Sequence, residues 1–257
     1  MPRLAANISM MFTEWDFLER FEQARLAGFQ AVECLFPYDH SAEQLAAALQ
    51  GTRLAPALFN LFPGDWAGGD RGLAALPDRA EEFRQSVDQA LHYASATGCG
   101  RLHVMSGLAA STDPEARATY VRALRLAADR AAHADIDILI EPINSRDMPG
   151  YFLNSFDLAV DIIAEVSRPN LRLQFDIYHR QIIRGDVLTG LRELLPLIGH
   201  VQIAAVPARH EPGTGELDDL RILRSLDELG YGGFVGCEYR PAAGTLAGLG
   251  WMGALDF

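Results

Sequence analysis

The chain has 257 residues, 49% of them apolar and 22% charged, with a formal net charge of −12. This is the composition of a soluble globular protein with a large core, and the length suits one domain of barrel size. The acidic balance works against phosphate backbones and anionic lipid heads, so neither nucleic acid nor a membrane is an expected partner, although a metal or a local Arg can reverse the field inside one cleft.

In chain order, the first strand is expected at residues 4–9 (LAANIS). A helical pattern follows over 14–27, ending at Gly28, and a second strand at 31–36 (AVECLF). A third strand is expected at 54–60 (LAPALFN). The Gly-rich connection after it, 61–77 (LFPGDWAGGDRGLAALP), carries Trp66 and Arg71. A helix over 78–97 stops at Gly98, and a fourth strand lies at 101–106 (RLHVMS). Asp113 is a good N-cap with Pro at the first helical position, which sets a helix over 114–132. A fifth strand at 136–142 (IDILIEP), a helix over 155–166 and a sixth strand at 171–176 (LRLQFD) come next. Then come a helix over 187–195, a seventh strand at 200–204 (HVQIA), a long loop at 205–216 (AVPARHEPGTGE), a helix over 217–229 and an eighth strand at 234–239 (FVGCEY).

Eight strands alternating with helices amount to about 32 residues per unit, the repeat of a closed (β/α)₈ TIM barrel. An open doubly wound sheet would call for a Gly-x-Gly-x-x-Gly turn after the first strand, and none is present. The expected architecture is therefore α/β, a single barrel domain over 1–257. Three cysteines, Cys34, Cys99 and Cys237, form neither a metal-binding pair nor an even framework. With no apolar run of about 18 residues and no leader pattern, a cytoplasmic location is expected.

In a parallel barrel the C-terminal strand ends converge on one mouth. Glu141, Asp176 and Glu238 stand at three of those ends, with Gln202 near a fourth. Alternation turns Ile140, Phe175 and Cys237 toward the helices and the acids toward the axis. Three unpartnered carboxylates in one mouth require protonation or a cation. Oxygen donors from three acids and one amide match a hard divalent ion, Mg²⁺ or Mn²⁺. The alternatives are solvated strand-end acids, or acids paired with a nearby Arg.

His179, expected on a loop just beyond Asp176, would reach substrate rather than metal, or else be a structural histidine. Arg209 and His210 on the loop after the seventh strand, and Asp147 past Glu141, are further candidates for substrate binding. Trp66 either covers bound substrate as a lid or packs on the rim. Asn7, Asn60 and His103 lie on other strands, and His103 reads as core. A cation holding a carbonyl and the adjacent hydroxyl would acidify the carbon-bound proton between them, with Glu141 and Glu238 as the groups that move it. One base serving both carbons gives isomerisation, and two bases on opposite faces of one carbon give epimerisation. A dehydratase on the same barrel, a nuclease and a non-catalytic sugar-acid binder are the other classes considered. The nuclease would need His-rich zinc ligands and a basic groove.

The segments AANISMMF (5–12), FPYD (36–39), GDWAGGDRG (64–72), IEPIN (140–144), FDIYH (175–179), HVQIA (200–204), RHEPGTGE (209–216) and GCEY (236–239) resemble the hydroxypyruvate isomerase family, a branch of the xylose-isomerase-like barrels. The likeness covers nearly the whole chain. It implies interconversion of hydroxypyruvate and tartronate semialdehyde, and a divalent metal on Glu141, Asp176, Gln202 and Glu238. It also implies proton transfer by the two glutamates and a substrate-binding role for His179. Related sugar epimerases usually carry His at the position of Gln202, which favours the isomerase branch. The 2-oxo-tetronate isomerases are a sister group sharing most of these motifs. The expected partner is thus a small 2-oxo acid, and self-association into a homo-oligomer is left open.

Overall fold

A computed structural model of the chain describes residues 2–255. Eight strands, β1 (Arg3–Asn7), β2 (Ala31–Cys34), β3 (Ala55–Asn60), β4 (Arg101–His103), β5 (Asp137–Ile140), β6 (Leu171–Asp176), β7 (Ile198–Ile203) and β8 (Phe234–Cys237), close into a barrel in sequence order. All eight neighbouring pairs are parallel, and β8 closes on β1. The expected (β/α)₈ TIM barrel is what forms.

The helices wrap the outside: α1 (Arg20–Leu26), α2 (Ala42–Thr52), α3 (Ala80–Thr97), α4 (Pro114–Ala132), α5 (Phe156–Val166), α6 (Ile177–Ile183), α7 (Val187–Leu194) and α8 (Asp219–Glu228). A run of 3₁₀ turns, Leu246–Leu255, follows β8. Among the described residues no helix is long and apolar enough to cross a membrane.

Three local differences from the sequence reading have plain causes. The helix expected over 14–27 begins only at Arg20, because Glu14 is drawn away to accept hydrogen bonds from the Thr245 amide and hydroxyl. Helix α2 lies where none was expected, and it starts on a capping box between Ser41 and Gln44. The segment after Asp176 is a helix, not a loop: Asp176 ends β6 and at once caps α6, accepting from the Tyr178 and His179 amides.

The outward faces of the strands (Val32, Leu102, Ile138, Ile140, Leu173, Phe175, Val201, Val235 and others) pack with the helices in one large apolar core. The interior differs. A separate small cluster of Ala5, Ala31 and Ala57, with Ala55 and Phe234 against it, fills part of the barrel. The remainder is largely polar, with Leu58 and Leu139 among the polar side chains, rather than built of the branched aliphatic layers common in such barrels. Gly236 shows how crowded that interior is, since a Cβ there would stand 2.1 Å from Glu33 Oε2. Strands β5 and β8 end one residue before Glu141 and Glu238, so both glutamates are the first residues of the loops at the mouth.

Candidate active site at the barrel mouth

A cavity of about 940 Å³ opens at the C-terminal end of the strands, and Glu141, Gln202 and Glu238 line it with His179, Asp147 and Arg209. Asp176 is buried beside them at 1% exposure. The acid at the end of β6 is divided between two tasks. Its Oδ1 accepts from Tyr178 N at 2.7 Å and His179 N at 3.4 Å, capping α6. Its Oδ2 has no hydrogen-bond donor, and neither has Glu141 Oε1. Buried oxygens are seldom left so. Glu141, Asp176 and His179 each offer a ligand atom, all within 4.8 Å of one another. Vacant carboxylate oxygens at that spacing fit a divalent cation.

Some of the charge is met by the protein itself. Arg209 Nη2 lies 2.9 Å from Glu238 Oε2 and 3.5 Å from Asp176 Oδ2, and Nη1 lies 3.8 Å from Asp147 Oδ2. The guanidinium also sits over the Tyr178 ring, 4.9 Å from its centroid. Its residue has φ of 56°, a left-handed conformation uncommon for a side chain of this size, and its amide donates to Ala205 O. The loop is thus curled so that its cation enters the acidic mouth. Burial opposes the Arg209 charge, but Glu238, Asp176, Glu141 and Asp147 together hold its pKa above the usual value.

The acids respond to burial first. Burial raises Glu141 well above the ordinary carboxylate value, and the charges of Glu238 and Asp176 raise it further. Burial lifts Glu238 to about 8 and Asp176 to about 6, with Arg209 pulling both back. His179 is held well below the usual imidazole value by burial and then by Arg209.

Hydrogen bonding fixes the tautomer of His179. Asn144 Oδ1 accepts from the amides of Arg146 and Asp147, so its Nδ2 is the end that faces His179 Nδ1, at 2.7 Å. The Asn144 amide also donates to Nδ1, at 3.3 Å. Nδ1 is therefore an acceptor, and the proton lies on Nε2, 3.7 Å from Asp176 Oδ2. A metal on Nε2 would require Nδ1 to carry the proton and lose both bonds. His179 is arranged as a hydrogen-bond donor into the mouth, and the carboxylates are the better ion ligands.

Gln202 is held from below. Its Nε2 donates to Glu33 Oε1 at 2.7 Å, and its Oε1 accepts from Gln174 Nε2 at 2.6 Å. Because a carboxylate accepts only, Glu33 turns the Gln202 carbonyl toward the mouth, with a second lone pair left over. Glu33 also meets His200 Nε2 at 2.6 Å and accepts from Asn7 Nδ2 at 3.0 Å. Sequence reasoning missed Glu33, His200, Gln174 and Asn144; the one signal was polar residues at inward positions of apolar strands.

Two expectations change. His103 lines the cavity and approaches Glu141 Oε2 to 3.8 Å, so it belongs to the mouth and not to the core. Burial, then His200, pushes its pKa down to about 3. His210 turns away, its Nδ1 2.7 Å from Arg240 O. Trp66 lines the cavity but also rests on the rim, 5.1 Å from the Phe36 ring centroid and under Arg71 at 4.2 Å. Its loop is anchored by the Asp70–Arg79 ion pair at 3.0 Å and by a bridge between Gly72 and Ser106.

The closed parallel barrel with an acidic mouth places the molecule in a defined class: the chain belongs to the xylose isomerase-like TIM barrel family, whose profile matches residues 21–255. Among its relatives is the 2-oxo-tetronate isomerase of Cupriavidus necator, 54% identical over 254 residues, 98% of each chain. The hydroxypyruvate isomerase of Escherichia coli is 44% identical over 254 residues, again 98% of each chain. A solved structure from Brucella melitensis, described as an AP endonuclease of family 2, superposes with a TM-score of 0.96 at 48% identity over 99% of each chain. The chain is accordingly an isomerase of this barrel family.

Proposed function

We propose that the chain isomerises a short 2-oxo acid with a hydroxyl on the next carbon, using its whole length as one catalytic domain. Hydroxypyruvate, interconverted with tartronate semialdehyde, is the smallest such substrate. The observation that carries this reading is the group of buried acids at the mouth in which Glu141 Oε1 and Asp176 Oδ2 have no hydrogen bond. A four-carbon 2-oxo acid is the second reading, favoured by 54% identity to a 2-oxo-tetronate isomerase against 44% to a hydroxypyruvate isomerase.

The same proton movement serves both substrates. A glutamate carboxylate, Glu141 or Glu238, takes the proton from C3, and the C–H electron pair becomes a C2–C3 double bond as the carbonyl oxygen gains charge. Return of the proton to C2, with transfer of the C3 hydroxyl proton to the C2 oxygen, leaves a hydroxyl on C2 and places the carbonyl at C3. Burial lifts Glu238 to about 8, which suits it to hold and release a proton near neutral pH, and moves Glu141 in the same direction. A divalent cation, Mg²⁺ or Mn²⁺, held by Glu141, Asp176, Glu238 and the Gln202 carbonyl would supply Lewis-acid stabilisation of the developing oxyanion. Arg209 and Asp147 bound the substrate's far side, the Nε2–H of His179 is aimed at a substrate oxygen, and Trp66 shields the opening. The net charge of −12 gives a nuclease reading no support.

The test is proton NMR in deuterated water with hydroxypyruvate and a four-carbon 2-oxo acid, before and after chelation. Solvent deuterium at C2 of an isomeric product, lost on chelation and restored by Mg²⁺ or Mn²⁺, is the expected result. A product short of one water would replace the isomerase by a dehydratase, and no isomeric product from either acid would overturn the reading.

A further inference from the structure

Of the three buried histidines among the described residues, two have one ring nitrogen hydrogen-bonded. His200 meets Glu33 through Nε2, and His179 is held at Nδ1 by Asn144. The third, His103, is 1% exposed, and neither of its nitrogens has a hydrogen-bond partner. Leaving a buried polar group unmet is costly. Such a cost persists where a ligand meets the group.

The position is built by the strand. In β4, Leu102 faces the helix layer, and its neighbour His103 consequently faces the axis at the last position of the strand. Asn60 stands beside it on β3 as its register partner. Both residues line the cavity, with Glu141 on the other side of the imidazole. The 3.8 Å from His103 Nε2 to Glu141 Oε2 is outside hydrogen-bonding range, so the two groups face a common space without satisfying each other.

The chemistry of that space selects the ligand. A substrate carboxylate there would be repelled by Glu141. A hydroxyl both donates and accepts, which matches an imidazole with one N–H and one lone pair on one side and a carboxylate on the other. We propose that His103 is a substrate ligand that hydrogen-bonds the C3 hydroxyl of the 2-oxo acid beside Glu141. This rests on the functional reading above and deepens it: His103 would select for hydroxylated over unhydroxylated acids.

Two unreactive acids that differ by that one hydroxyl separate the contact from a structural role. Glycerate carries a C3 hydroxyl and lactate lacks it, and calorimetric titration gives Kd for each on the metal-replete protein. His103→Phe is expected to weaken glycerate about tenfold, or about 1.4 kcal/mol, while lactate changes less than about twofold. His103→Gln, which keeps a donor and an acceptor, should restore most of the glycerate affinity. Equal weakening of both acids, or none, overturns the proposal. Should the Phe variant fail to fold, nitrogen NMR of the wild-type imidazoles decides: the His103 resonances, assigned with the Gln variant, must move with glycerate and not with lactate. Failure of the functional reading is a separate event, seen when the wild-type protein isomerises neither 2-oxo acid.

Discussion

Along β6 the residues turned toward the helices are Leu171, Leu173 and Phe175, and those turned toward the axis are Arg172, Gln174 and Asp176. The same division runs around the barrel. Outside, Phe175 meets Phe156 of α5 at 5.2 Å between ring centroids, a contact whose strength is buried area and fit. Inside, Glu33, His200, Gln202 and Gln174 are joined by hydrogen bonds of 2.6–2.7 Å, and Glu141 and Asp176 above them each keep one oxygen without a hydrogen bond. The outer face accounts for the fold and the inner face for the site, so changes on the two faces should separate stability from turnover.

The largest effect is expected inside. Glu238→Gln removes a proton carrier and a charge but preserves shape, and it should lower kcat by about 10⁴-fold. Its melting temperature should stay within about 3 °C of wild type, because Arg209 keeps Asp176 and Asp147 as partners and is not left an uncompensated buried charge. Retention of a tenth of the activity would remove Glu238 from the proton path. Outside, Phe156→Ala should do the reverse. Truncating a buried Phe costs about 3–5 kcal/mol, or roughly 6–20 °C in melting temperature for a chain of this size. Below its melting point the variant should keep kcat within about threefold of wild type. A kcat loss as deep as that of Glu238→Gln would mean that the two faces are not separable.

The outer face was also the legible one. Strand β6 was expected at 171–176 and lies there, since strict alternation marks a strand that is apolar on one side. Helix α4 was expected over 114–132 and lies there, because Asp113 and Pro114 mark its start. Helix α2 was missed because its run of alanines has weak apolar periodicity, although Ser41 and Gln44 signalled the cap. Helix α6 was missed because it is short and its cap, Asp176, is also the last residue of a strand. The strand-end acids could be found from position alone. Glu33 and His200 could not, being 167 residues apart and joined only when the barrel closes. His103 read as core because a polar residue within a short apolar run shows nothing of whether its nitrogens are satisfied.

The smallest effect tests whether raised carboxyl pKa values are a property of the mouth or of burial in general. Asp219, in the first turn of α8, is 1% exposed; its Oδ2 accepts from Gly213 N at 2.6 Å and its Oδ1 has no partner. Burial, with repulsion from Asp218, raises its pKa from 3.8 to about 6. The folded state therefore binds this proton more tightly than the unfolded state. The stabilisation from the protonated form is complete below pH 3.8 and is lost as pH rises through about 6. Asp219→Asn keeps an acceptor for Gly213 and removes the buried charge. It should melt about 2–4 °C higher than wild type at pH 8, a gain of about 1 kcal/mol after allowance for solvent screening. The difference should vanish near pH 4, where the wild-type carboxyl is protonated too. A gain of the same size at both pH values would mean that packing, not charge, sets the effect. Unchanged kcat at pH 8 would confine it to stability and leave proton transfer to the acids of the mouth.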